Sequence, residues 1–309
     1  MMQADTPFVR RLKQGRPLLL DGGLATQLEV QGEDIGNALW SASLLASNAD
    51  AIVAAHSAYL AAGAECIETA TYQASREGFA TIGLPASEAD RLMLNSIALA
   101  KRAREAAGSC ASLAASLGPY GVMLHDGSEY TGNYGVSSEE LRAFHAPRIR
   151  LFDGSDVDVI ALETVPSLQE AAVLSELLEA CTTPSWVSFS CRDRQRICDG
   201  SPLAEAVKLF ASHPSVVAIG VNCTPPQYVP ALLRIIRDTA SDKFALAYPN
   251  SGEAYNAADN SWSGTVTPGD CADAARAWIE AGAAAVGGCC RMGPEHISAM
   301  AAMITASHS

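Results

Sequence analysis

Two adjacent cysteines, Cys289 and Cys290, follow Gly287-Gly288, and a third stands 66 residues before Cys289 in the run Val221-Asn222-Cys223. Neighbouring cysteines pair poorly with each other. Their Cα atoms lie about 3.8 Å apart across a trans peptide, below the roughly 4.4 Å lower limit of ordinary disulfides. Two thiolates at the end of an apolar segment, with a third from another segment, instead suit one Zn2+ ion. Three protein ligands leave a tetrahedral zinc one open position, the mark of a catalytic site. Successive strand residues point to opposite faces, so both sulfurs reach one metal only if the strand breaks there, which Gly287 and Gly288 permit. A zinc already carrying three thiolates is a weak Lewis acid, so the substrate is expected to be a thiol rather than water. Cys223, Cys289 and Cys290 are therefore the candidate metal ligands and catalytic residues. The other six of the nine cysteines read as packing or incidental surface thiols. An odd number of cysteines without an export signal points to a reduced cytoplasmic setting rather than a disulfide framework.

Residues that meet this way need a frame. Short β-type runs occur at residues 17–20, 65–69, 111–116, 158–162, 185–190, 216–221, 244–248 and 283–286. Helical spacing fills residues 51–62, 87–107, 138–152, 168–181, 203–212, 227–239, 269–281 and 294–304. Eight strands alternating with eight helices predict a parallel sheet closed as a (β/α)8 TIM barrel, with a doubly wound open sheet as the competitor. No linker or composition shift divides the chain, so residues 1–309 are expected to form one domain. The polar residues fall where such a barrel carries its chemistry, at the carboxyl ends of the strands. Asp21-Gly22-Gly23 ends strand 1, Thr71-Tyr72-Gln73 strand 2, Glu163-Thr164 strand 4, Asn222-Cys223 strand 6, Asn250-Ser251-Gly252-Glu253 strand 7 and Cys289-Cys290 strand 8.

Asp21 and Glu163 would converge over the barrel mouth and could clamp an ammonium group, although Asp21 could equally cap a loop and Glu163 pair with an arginine. Gly22-Gly23 could bring backbone N–H groups to a carboxylate, or simply form a tight turn. The loop from Gly127 to Tyr134 carries two tyrosines among turn residues and could cover a cationic donor or be plain surface. Trp40 could line the same pocket or pack on the first barrel helix. His56, His145 and His296 lie in helical segments without metal-ligand spacing. No GxGxxG or GK[ST] fingerprint supports a nucleotide enzyme. A formal charge of −13 argues against a nucleic-acid binder. The basic residues Arg10, Arg11, Lys13 and Arg16 precede no long apolar run, so neither a signal peptide nor a membrane span is expected.

The combination LLLDGGLAT, ALET, GVNC, YPNSGE and GGCCR resembles the homocysteine S-methyltransferases, from about Leu18 to Ile304. That resemblance implies a zinc-dependent barrel, with Zn2+ held by Cys223, Cys289 and Cys290. It also implies recognition of homocysteine by Asp21, the Gly22-Gly23 backbone and Glu163, with Asn222 among the substrate contacts. Arg291 after the cysteine pair, the loop at Gly127–Tyr134 and the PNSGE segment look like the branch that uses S-methylmethionine or S-adenosylmethionine. Met292-Gly293 departs from the Thr-Thr expected there. With the eighth helix expected at the end of this sequence, no cobalamin or folate domain is expected.

The expected reaction follows. Homocysteine becomes the fourth zinc ligand and loses its thiol proton. It then attacks the methyl of a sulfonium donor in line, giving methionine. Selenocysteine or another thiol as acceptor, or betaine as donor, keeps the same site. A sensor that binds zinc and homocysteine without turnover is the non-enzyme alternative.

Overall fold

Alternation of short apolar runs with amphipathic segments folds into eight parallel strands, each followed by a helix. The computed structural model describes residues 5–36, 39–124, 126–252, 254–256, 261–263 and 266–307. The barrel strands are β1 (Leu18–Leu19), β2 (Cys66–Glu68), β3 (Ser112–Leu117), β4 (Val159–Val165), β5 (Ser185–Phe189), β6 (Val216–Asn222), β7 (Phe244–Tyr248) and β8 (Ala283–Val286). They hydrogen-bond in the order β1-β8-β7-β6-β5-β4-β3-β2. A parallel bridge between Leu20 and Cys66 brings β1 against β2 and closes the ring. The expected barrel is therefore present. The bounds of β7 and β8 coincide with the sequence reading, and the other six strands differ only at their ends.

The outer helices are α1 (Ala49–Ala61), α2 (Ala86–Ala106), α3 (Ser138–Phe152), α4 (Leu168–Leu178), α5 (Leu203–Ala211), α6 (Val229–Thr239), α7 (Pro268–Glu280) and α8 (Pro294–Ala306). Local signals set several of their starts. Ser137 and Glu140 form a capping box at α3, and Thr267 with Asp270 form another at α7. Among the described residues no helix is long and apolar enough to cross a membrane.

The barrel interior and the helix layer form separate apolar clusters, as side-chain alternation along a strand requires. Inside lie small residues such as Ala114, Ala161, Ala218 and Ala285, with Trp186 and Tyr248 filling the space they leave. The amino-terminal end is stopped by a short helix, Pro7–Leu12, which the sequence reading passed over. Phe8 of that helix stacks 5.2 Å from Trp186. Arg11 grips the Glu65 carboxylate with two N–H groups at 3.0 and 2.8 Å, tying the plug to the start of β2. Trp186 Nε1 then donates to the Tyr248 hydroxyl at 2.9 Å. The packed floor thus ends in a polar atom that faces the barrel mouth. Other elements not expected from the sequence are the helices Leu24–Val30, Arg76–Ala80 and Tyr120–Leu124, and an antiparallel pair, Ala254–Asn256 with Ser261–Ser263, between β7 and α7.

Candidate active site

The thiols sit where β6 and β8 stop. Directly after β6, Cys223 takes a positive φ of 43°, which turns the chain out of the sheet and is uncommon for a residue other than glycine. After β8 the backbone is stitched to the segments that follow β1 and β7. Gly288 N–H donates to Asp21 C=O at 3.0 Å, Cys289 N–H to Pro249 C=O at 2.8 Å, and Ser251 N–H to Cys290 C=O at 3.1 Å. Arg291 also has positive φ, 66°, and its N–H donates to Thr26 Oγ1 at 3.0 Å. The strand break expected at the double glycine is therefore real, and both neighbouring cysteines face one point.

The Sγ atoms of Cys223, Cys289 and Cys290 all lie within 4.8 Å of one another, a group able to hold a metal ion. Cys223 and Cys290 are 3.7 Å apart. Two thiolates on a tetrahedral zinc with bonds of about 2.3 Å would stand about 3.8 Å apart, so this edge of the triangle fits the ion. A second edge corrects the sequence reading, which expected no disulfide: Cys223 and Cys289 are bonded to each other. Their Cα atoms are 5.6 Å apart, within the ordinary disulfide range, so thiols gathered for a metal are also placed to pair. Metal binding by all three requires that bond to be reduced. Burial pushes the Cys290 thiol up to about 11, and contact with the Tyr130 hydroxyl pulls it part of the way back. It would stay protonated at neutral pH without a metal.

The glycines after β1 let this loop press against the β8 loop. A Cβ on Gly22 would lie 2.2 Å from Met292 C=O, and one on Gly23 2.6 Å from Cys289 C=O. Gly23 N–H donates to Met292 C=O at 3.0 Å. The structure thus uses this N–H to join two loops, whereas the sequence reading offered it to substrate. Met292, the departure noted in the sequence, is fully buried and lies 3.4 Å, sulfur to sulfur, from Cys271.

The same cavity carries a wall of acids. Asp21 and Glu163 are 3% and 4% exposed, and Glu68, which the sequence reading missed, joins them at the end of β2. Glu68 N–H donates to Asp21 Oδ2 at 2.9 Å. Glu163 is contacted by the Ser116 and Tyr248 hydroxyls and by the Glu68 carboxyl. Burial raises all three. Asp21 is pushed well above the carboxylate range, against the Glu68 N–H that lowers it and with the Glu163 charge that adds to it. Glu68 is raised by burial and then by Glu163 and Asp21, and Glu163 reaches about 7, with its hydroxyl partners opposing burial. Such a trio cannot be fully ionised alone and gains from a cation. Asn222, expected among substrate contacts, accepts from Thr164 N–H at 2.8 Å and donates to Thr164 Oγ1 at 2.7 Å. That clamp holds Thr164 at a φ of 59°, a strained backbone for a β-branched residue, immediately after Glu163.

Sulfurs and acids line one cavity of about 110 Å³ with Gly22, Gly23, Asn222, Tyr72 and Tyr130. Comparison with known proteins agrees with that geometry. The family model described as homocysteine S-methyltransferase matches residues 18–304. The chain belongs to the homocysteine S-methyltransferase family. It is 42% identical to the homocysteine S-methyltransferase YbgG of Bacillus subtilis over 295 residues, covering 92% of this chain and 93% of that one. Crystal structures of the homocysteine methyltransferase MmuM from Escherichia coli superpose on it at 39% identity. The metallated form gives a TM-score of 0.84, covering 94% of this chain and 97% of that one. The oxidized form gives 0.85, covering 95% and 98%.

In this homocysteine S-methyltransferase homologue the Gly127–Tyr134 loop turns inward. Glu129 is buried and Tyr130 lines the cavity. The loop hangs from Glu170 at the start of α4, which accepts from the Tyr134 hydroxyl at 2.9 Å and from Tyr120 N–H at 2.6 Å, and meets His145 Nε2 at 2.7 Å. One turn further along α3, buried Arg148 donates to Gly118 C=O at 2.9 Å and Tyr72 C=O at 3.0 Å. His145 thus has a structural partner and, like His56, lies outside the metal group. No local motif foretold the Glu170 hub, because its partners come from three separate segments. The side chain of Trp40, residue Glu253 and residues 257–260 lie outside the described residues.

Proposed function

We propose that this protein transfers a methyl group from S-methylmethionine, or from S-adenosylmethionine, to the thiol of L-homocysteine at a zinc site formed by Cys223, Cys289 and Cys290. One observation carries the reading: three convergent cysteine sulfurs share a cavity with a wall of buried, mutually repelling carboxyls. The first group suits a thiol substrate and the second suits its ammonium. Zinc, when bound, would offer its open corner to the substrate sulfur and favour loss of the thiol proton. The chain's own residues do the rest. Asp21, Glu68 and Glu163 hold the α-ammonium, whose charge lets more of the three carboxyls ionise. Gly22 and Gly23 fix the distance between that wall and the sulfurs, and Asn222 keeps the Glu163–Thr164 turn in place. The Tyr130 hydroxyl orients Cys290. Alignment of the acceptor sulfur with the donor methyl is then the main contribution to rate. A new S–CH3 bond forms as the sulfonium C–S bond breaks, so S-methylmethionine and homocysteine give two methionines.

The proposed unit is the whole barrel, residues 1–309 as one domain. Reduced thiols fit a cytoplasmic setting. Selenohomocysteine would serve the same geometry as acceptor. The test is zinc content and methionine formation for wild type and Cys289→Ala, assayed with S-methylmethionine, S-adenosylmethionine and betaine after reduction. A zinc-free Cys289→Ala protein with full activity would end the reading, and zinc retained without transfer to any thiol would favour a sensor.

A further inference from the structure

One buried acid of the cavity has no task in the chemistry above. Glu129 is 8% exposed and lines the cavity with Tyr72, Tyr130 and Cys290. Its Oε2 has no hydrogen-bond partner, an arrangement that is rare for a buried polar atom. Its charge acts on Tyr72, Tyr130 and Cys290 and disfavours ionisation of each. Glu129 therefore lies near Tyr72, Tyr130 and Cys290, whereas Asp21 and Glu68 are acted on by one another or by Glu163. No lysine, arginine or histidine lines the cavity among the described residues. The orphan oxygen is therefore open to a cation brought in from outside.

We propose that Glu129 is the donor-specificity residue: its carboxylate neutralises the positive sulfonium of the methyl donor, seated beside Tyr72 and Tyr130 next to Cys290. The inference rests on the methyl transfer proposed above and assigns the half of the cavity that the acceptor leaves free. Its kinetic signature follows from charge. The acceptor sulfur gives its electron pair to the methyl, and the C–S pair leaves with the donor as a neutral thioether. Positive charge is greatest in the bound donor and fades along the reaction. A fixed carboxylate therefore holds the ground state at least as firmly as the transition state, and its loss shows in donor binding rather than turnover.

Glu129→Gln keeps the shape and removes the charge. Steady-state kinetics at saturating homocysteine should show the donor KM raised about 10- to 100-fold, the size of a lost charge-assisted contact. The kcat should change by less than about threefold and the homocysteine KM should hold. Calorimetry on reduced, metal-free protein should show wild type preferring S-methylmethionine to methionine, which has the same skeleton without the charge, and Glu129→Gln losing that preference. A wild-type donor KM and preference in the variant overturn the proposal, as does a loss confined to kcat. If circular dichroism shows that the Gln variant does not fold, Glu129→Asp carries the test. It keeps the charge but withdraws it, so an intermediate donor KM supports the assignment and an unchanged one overturns it. Glu129-dependent sulfonium binding without any methyl transfer would sink the transfer reading and leave this site standing.

Discussion

The two ends of the cavity are built by different means. At the sulfur end the backbone does the positioning. Close-packed glycines, two residues at positive φ and N–H groups donated between loops hold three thiols whose chemistry is simple. At the carboxyl end side chains do it: Ser116, Tyr248 and the Asn222–Thr164 clamp surround acids whose protonation can change. The first end specifies geometry and the second specifies charge. A metal tolerates little error in ligand position, whereas an ammonium in a ring of carboxyls needs only to be near them.

That contrast is easiest to break at the sulfurs. Cys223→Ser, reduced and offered zinc, should lose the ion, and methionine formation should fall on the order of 10³-fold, because a catalytic metal supplies several kcal/mol. Retained zinc with wild-type turnover would show that the geometry of this end is dispensable. Gly288→Ala tests the backbone alone. Its Cβ would lie 2.3 Å from Met292 Cβ, so the β8 loop must move, at a cost of about 1–3 kcal/mol in chemical denaturation. Turnover should fall roughly 10²-fold although all three thiols remain, since displacement of reacting groups by about 1 Å costs that much.

At the carboxyl end the expected sign reverses for stability. Glu163 is held at about 7, mainly by burial, against an ordinary value of 4.5. Below the lower value it is neutral whether the chain is folded or not. As pH rises through the upper one, the folded protein must bear a buried charge and loses stability. Glu163→Gln should therefore melt higher than wild type at pH 8, by on the order of 1–3 kcal/mol without ligand, and alike near pH 4. Its homocysteine KM should be raised roughly 10- to 100-fold with zinc content intact. The wild-type KM should climb as pH falls below about 7 and the Glu163 carboxyl protonates; the variant should keep only the part of that limb that comes from Asp21 and Glu68. Equal melting at both pH values would show that the wall is not under electrostatic load.

What the sequence disclosed follows the same division. Cys289-Cys290 after two glycines admits few explanations besides a metal, and β-type runs of buried Val, Ile and Ala are read from composition alone. Asp21 and Glu163 were visible because each is a lone acid at the end of an apolar strand. Glu68 was not, because in Glu65–Thr69 a carboxylate two positions past Cys66 reads as an ordinary strand residue, and only closure of the barrel brings it to Asp21. The plug helix was hidden by its brevity, although Thr6 caps it and Pro7 opens it. Glu170, His145 and Arg148 lie on helices where their spacing resembles a solvated face, and their partners are known only once α3 and α4 pack against the loops. The disulfide could not be read either, since the same three thiols serve pairing and metal binding equally well.

The smallest expected effect concerns how the loop bearing Glu129 and Tyr130 is anchored, at Tyr134 and Glu170, which do not line the cavity. Tyr134 donates its hydroxyl to Glu170 Oε2, while Tyr120 N–H and His145 occupy Oε1. Tyr134→Phe removes one of these contacts and leaves the carboxylate two, so the loss should be about 1 kcal/mol rather than the larger cost of an orphaned charge. Neither the thiols nor the Asp21–Glu68–Glu163 wall touches Tyr134. Zinc content and homocysteine KM should stay at wild-type values, while the donor KM rises a few-fold, roughly in proportion to the looser hold on the loop. A shift in homocysteine KM of equal size would mean that the loop and the carboxyl wall move as one body.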